Sequence, residues 1–107
     1  MSSMVHSEIQ KLRKMIKYQA GTIVSKTIIN KDTGTVTIFA FDKDQSLSEH
    51  TAPFDALLQV FDGEVDVVIS GKKHHLTTGE MILMPANVPH AVNAIEKFKM
   101  MLIMIKS

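Results

Sequence analysis

From Thr22 onward, the chain is cut into short β-prone segments by turn signals at nearly regular intervals. Thr22 to Ile29 is rich in β-branched residues and stops at Asn30-Lys31-Asp32-Thr33-Gly34. Thr35 to Phe41 alternates, with Val36, Ile38 and Ala40 on one face and Thr37, Phe39 and Phe41 on the other. Leu57 to Phe61 and Glu64 to Ser70 flank Asp62-Gly63, which reads as a hairpin turn. A second turn at Ser70-Gly71-Lys72-Lys73 leads into His74 to Thr77, and Gly79 introduces Met81 to Met84. His90 to Ile95 and Phe98 to Ile105 complete the series. A chain of this kind folds as an antiparallel sandwich or barrel. At 107 residues it is one domain with one core.

Only the start departs from this pattern. Across Ser7 to Gln19, Ile9, Leu12, Met15 and Ile16 recur at three- and four-residue spacings, with Lys11, Arg13, Lys14 and Lys17 around them. The spacing predicts a short α-helix that Ser7 or Ser3 caps and Gly21 ends. The division is therefore an N-terminal helical segment over residues 1–20 and a β-barrel over residues 21–107. The four cations are read as a solvated face, and His6, just before the helix, carries no pattern.

Composition narrows the function. A net charge of +1 gives no electrostatic case for nucleic acid or an anionic membrane. Without cysteine there is neither disulfide nor thiolate chemistry, which fits a cytoplasmic protein. No apolar run reaches the length of a membrane span or resembles a signal peptide. The last strand is apolar without alternation from Met100 to Ile105, so both of its faces need cover. One belongs to the core. The other predicts a homodimer, or else packing of the N-terminal helix against it.

Two motifs carry the chemistry. His50-Thr51-Ala52-Pro53-Phe54-Asp55-Ala56 is followed by Gly63, and Gly79 opens a stretch containing Pro85, Asn87, Pro89 and His90. Together they resemble the paired motifs of the cupin superfamily, G-x5-H-x-H-x3,4-E-x6-G and G-x5-P-x-G-x2-H-x3-N. The likeness covers most of residues 35 to 105 and points to a small single-domain cupin of the RmlC-like, cupin type-2 conserved barrel kind. It implies an all-β antiparallel double-stranded β-helix, a jelly-roll barrel, here with a short N-terminal α-helix. Asn87 stands at a glycine position, and asparagine is well tolerated in the left-handed region. Asp44 occupies the glycine position before His50.

In metal-binding members of the superfamily, three histidines and a glutamate hold iron, manganese, nickel or zinc. In this chain the second histidine position is Ala52, the glutamate is Ala56, and the closing asparagine is Ala94. His50 and His90 are the remaining ligand positions, so the expectation is a barrel without a tightly held metal. The alternative is a divalent ion held weakly by His50 and His90. Alternation turns Asp55 and Glu49 away from the barrel, unless a bulge reverses Asp55.

The two histidines are therefore read as ligand-binding groups in an apolar pocket walled by Phe54, Leu58, Val60 and Met84. The ligand class is a small organic molecule. A metal-dependent or acid–base enzyme of oxygenase or isomerase type using His50 and His90 is the alternative, as is a dimeric regulatory or accessory module. Ser48 and Thr51 have no oxyanion-forming motif beside them. His74-His75 is read as a solvent-facing strand start, since neighbours in a strand face opposite ways. Met81, Met84, Met100, Met101 and Met104 are read as core filler, with a methionine-lined, adaptable pocket as the functional version.

Overall fold

The computed structural model describes residues 7–106, and Ser3 and His6 lie outside them. Among the described residues, eight strands follow a single 3-10 turn at Leu12–Lys14: β1 Ile23–Lys31, β2 Gly34–Phe41, β3 Ser46–His50, β4 Asp55–Ile69, β5 Lys72–Thr77, β6 Met81–Met84, β7 His90–Asn93 and β8 Phe98–Ile105. They curl into an all-β antiparallel barrel of two faces. One face runs β1-β2-β8-β4-β6 and the other β3-β7-β4-β5.

Both faces share β4. The sequence predicts two strands and a hairpin at Asp62-Gly63, whereas the chain continues as one long strand that bends there. Its first half pairs with β6 and β8, its second with β5 and β7. The register against β8 slips between Val60 and Asp62. Gly63 adopts φ +82°, and a Cβ on it would run into the Lys97 carbonyl and crowd Phe98. Glycine is thus needed for a bend between sheets, a role that local turn chemistry does not distinguish from a hairpin. A true two-residue hairpin turn occurs at Ser70-Gly71, where both φ angles are positive.

Alternation sorts the side chains as the sequence predicts. Phe41, Ala56, Leu58, Val60, Val65, Val67, Met84, Val92, Phe98 and Met100 fill the interior, where the Phe41 and Phe98 rings stack at 4.6 Å. Val36, Ile38 and Ala40 face outward. A second apolar cluster forms on that outside, with Ile16 packed on Ile38, Ala40 and Phe61, and Leu12, Met15, Tyr18 and Met101 around it. Met81, expected in the core, is instead more than half exposed.

The expected helix over Ser7–Gln19 is absent beyond the 3-10 turn. Leu12, Met15 and Ile16 pack as the spacing predicts, whereas Ile9 is fully exposed, and the backbone is claimed by the barrel. Lys99 Nζ donates to the Arg13 carbonyl at 2.7 Å and Lys26 Nζ donates to that of Met15 at 3.3 Å. Those carbonyls would otherwise accept helical amide bonds. Arg13 Nε donates to the Phe61 carbonyl, and the Tyr18 hydroxyl donates to Asp62 at 2.7 Å. Partial burial and that bond to Asp62 hold the Tyr18 phenol well above its ordinary range. An isolated segment of this length gains little from helix formation, so tertiary contacts decide its path.

Candidate functional site

His50 ends β3 and His90 begins β7, and the two residues are register partners. Ile69 is the partner of His90 on its other side. The row His50–His90–Ile69 therefore lies on the inner face of one sheet. On the other sheet, Met84, Ala56 and Met104 form a second inward row. The loops between these rows are stitched together. Asn87 N donates to the Ala52 carbonyl at 2.7 Å, Ala86 N to Asp55 Oδ1 at 2.8 Å, and Ser70 N to the Pro89 carbonyl at 2.9 Å. The stitching defines one end of the barrel as a mouth. Asp55, turned outward as expected, serves as a brace for the loop that delivers His90.

The glycine replacements keep the glycine conformation. Asn87 sits at φ 65° and Asp44 at φ 70°, and both belong to residue types that accept the left-handed region. Motif geometry therefore survives where motif identity does not.

At the mouth the imidazoles meet edge to face, with centroids 4.4 Å apart and Nε2 atoms separated by 3.1 Å. Each ring is fixed by a backbone carbonyl two residues earlier. His50 Nδ1 donates to Ser48 at 2.8 Å, and His90 Nδ1 donates to Val88 at 3.1 Å. A carbonyl cannot donate, so both Nδ1 atoms carry hydrogen and both Nε2 atoms are left to face each other. Two bare lone pairs at that distance repel. A proton between them would make the contact an Nε2–H···Nε2 hydrogen bond. His50 is exposed and His90 is buried, so the pair faces solvent from the His50 side.

The other sequence-predicted wall residues lie at different depths. Phe54 is half-buried, with Lys106 Nζ 5.6 Å above its ring. Met84 is buried beside Ala56. Leu58 and Val60 point inward but are wholly buried, two and four residues further along β4 than Ala56. They form the floor beneath the mouth. Ile69 and Met104 join the inward rows without having been singled out as site residues. Nothing short of strand register would have found them, because β8 is apolar on both faces.

His74 and His75 face opposite ways. His75 Nδ1 lies 2.8 Å from Asp66 and Nε2 lies 3.6 Å from Glu64, on the polar outside of the second sheet.

The family model for the cupin domain matches residues 37–106. The chain belongs to the cupin family. Among solved structures, it is 28% identical to a conserved protein of unknown function from Streptococcus pyogenes, with a TM-score of 0.93 over 97% of this chain and 91% of that one. It is 46% identical to a cupin 2 conserved barrel domain protein from Leptotrichia buccalis, with a TM-score of 0.86 over 89% of this chain and 46% of that one. A salicylate 1,2-dioxygenase from Pseudoaminobacter salicylatoxidans, in complex with gentisate, shares the fold at 19% identity. The TM-score there is 0.72, over 78% of this cupin and 25% of the dioxygenase. No curated protein matches the chain.

The metal that many cupins carry can be tested against the donors present. Ala52 and Ala56 offer no ligand atom. Among the described residues, no three His, Cys, Asp or Glu side chains come together in a way that could hold a metal ion. Two imidazoles fall short of the three protein ligands that a catalytic zinc site uses. The donor set does not fit the usual cupin metal. Among the same residues, no helix is long and apolar enough to cross a membrane.

Proposed function

We propose that this cupin binds a small organic molecule bearing an acidic group at the barrel mouth, without a tightly held metal. The observation that carries the reading is the tautomer lock. Both Nδ1 atoms are committed to backbone carbonyls, so both Nε2 atoms converge to 3.1 Å, close enough for one proton to bridge them. A carboxylate or enolate approaching from the exposed His50 side meets the bridged pair. It can draw one imidazole into a hydrogen bond of its own, a charge-assisted contact. Phe54 and Met84 supply apolar contact beside it, and thioether side chains adapt to ligands of varied shape. A cytoplasmic setting accords with a chain that contains no cysteine.

The same shared proton supports a second reading. Two imidazoles that exchange one proton are an acid–base device for an isomerase-type reaction on such a ligand.

The test is a binding screen of small carboxylic acids against the full chain, followed by heteronuclear NMR of both imidazole rings. Binders are expected to shift both ring signals. The His50→Ala and His90→Ala substitutions should each weaken them by about tenfold or more. About one equivalent of iron, nickel, manganese or zinc in protein purified without chelator would overturn the metal-free reading. Binders indifferent to both substitutions would overturn the site.

A further inference from the structure

Towards the mouth, β1 and β2 reverse the polarity expected of a barrel wall. Val24, Ile28, Ile38 and Ala40 belong to the apolar cluster on the outside, whereas Ile23, Phe39 and Phe41 pack into the interior. Alternation then puts Thr27, Thr35 and Thr37 on the inner side. Asn30 joins them, because it is the register partner of Thr35 and opposed residues share a face. The hydroxyls and the amide thus line the inside of strands whose outside is apolar.

Strand register extends these positions into two rows. One runs Asn30–Thr35–Met104–Ala56, the row that ends at the mouth, and the next runs Thr27–Thr37–Leu102–Leu58. Each begins polar on β1 and β2 and turns apolar on β8 and β4. Thr27, Thr35, Thr37, Leu102 and Met104 are only half-buried, whereas Leu58 is sealed. The interior therefore stays accessible over β2 and β8. An inward hydroxyl adds nothing to core packing that an apolar side chain would not supply better. What it does supply is one donor and two acceptor lone pairs.

From this wall we infer that the acid bound at the mouth is a polyhydroxylated one. Its carboxylate meets the His50–His90 pair, and its hydroxyls are read by Thr27, Thr35, Thr37 and Asn30. The inference rests on the acid-binding role of the two imidazoles and adds the group that selects the rest of the molecule. Facing sheets stack about 10 Å apart, so a ligand anchored on one comes within reach of the other. An apolar acid of the same size would strip water from those hydroxyls and return no hydrogen bond, which is how such a wall rejects it.

Isothermal titration calorimetry on the full chain tests this with two matched pairs: gluconate against hexanoate, and glucuronate against cyclohexanecarboxylate. At least one hydroxylated acid should bind about tenfold or more tighter than its deoxygenated counterpart. The double variant Thr35→Val and Thr37→Val keeps the β-branched shape that suits a strand and should erase that preference without lowering the thermal melting point. Deoxygenated acids that bind as well as the hydroxylated ones, and depend on His50 and His90, overturn the hydroxyl wall and leave the acid site standing. Glucose binding as tightly as gluconate overturns the acid reading beneath it. Failure of all four acids to bind at millimolar concentration overturns the inference, as does a preference that survives the double variant.

Discussion

The barrel has two outer faces, and they meet water in opposite ways. The face of β3, β7, β4 and β5 is closed by polar contacts. Asp66, nearly buried, binds His75 at 2.8 Å and lies 3.9 Å from Lys73, while Glu64 flanks the same imidazole. The face of β1, β2, β8, β4 and β6 carries an apolar row from Ile29 to Leu83 beside a half where Lys26 and Lys99 hold the N-terminal segment. It is resolved in two halves, one covered by Leu12, Met15, Ile16 and Tyr18 and the other bare. Residues of one continuous strand, β4, serve both faces. Within β4 the difference lies in the pattern on either side of Gly63, and the remaining strands of each face follow suit. The polar face is closed by its own side chains, whereas half of the apolar face leaves Ile29, Met81, Leu83 and Ile105 exposed.

Breaking the joint between the faces should have the largest effect. Gly63→Ala places a Cβ against the Lys97 carbonyl at a positive φ and should cost about 3 kcal/mol or more in chemical denaturation. Gly71→Ala is the control. It has the same sign of φ but open space around it, so only the backbone penalty of about 1 kcal/mol remains.

The second test compares the halves of the apolar face. Ile16→Ala removes a buried side chain from the covered half and should lose about 2–4 kcal/mol. Leu83→Ala, on the bare half, should lose less than about 1 kcal/mol in dilute monomer. Equal losses would mean that the two halves are not differently covered.

The smallest effect concerns the turn that carries the chain from β5 on the polar face to β6 on the apolar one. Glu80 accepts from the Thr77 amide at 2.8 Å and from its hydroxyl at 3.0 Å. These bonds, the amide foremost, hold its carboxyl below the ordinary range. A lowered folded-state value contributes stability above the unfolded value of about 4.3, and that contribution is lost as pH falls through the folded value. Glu80→Gln should therefore show a shallower loss of stability on acidification in pH-dependent thermal melts. A slope identical to wild type would show that the bonds carry no weight.

What the sequence disclosed follows from which interactions are local. Strands β2, β6 and β8 were legible because alternation or unbroken apolarity marks them residue by residue. β3 was not, because Ser46–His50 is largely polar and exposed, and only pairing with β7 makes it a strand. The segment before Gly21 misled because the spacing of Leu12, Met15 and Ile16 suits a helix and an irregular strap equally well. The deciding bonds come from Lys26 and Lys99, far along the chain. His50 and His90 were visible as motif positions. Their tautomers were not, since those depend on the carbonyls of Ser48 and Val88 being turned back onto the rings.

The place of β8 in the sheet has a consequence for how the protein is made. β8 lies between β2 and β4, pairing with both along nearly its whole length, yet it is synthesised after every other strand. Until Phe98–Ile105 leaves the ribosome, β2 and β4 each present an open edge and an apolar face to solvent. Such edges are templates for pairing with other chains, and distant pairings of this kind close slowly. Nascent chains stalled before Phe98 should be the form that chaperones hold, and emergence of β8 should be the step that closes the sheet.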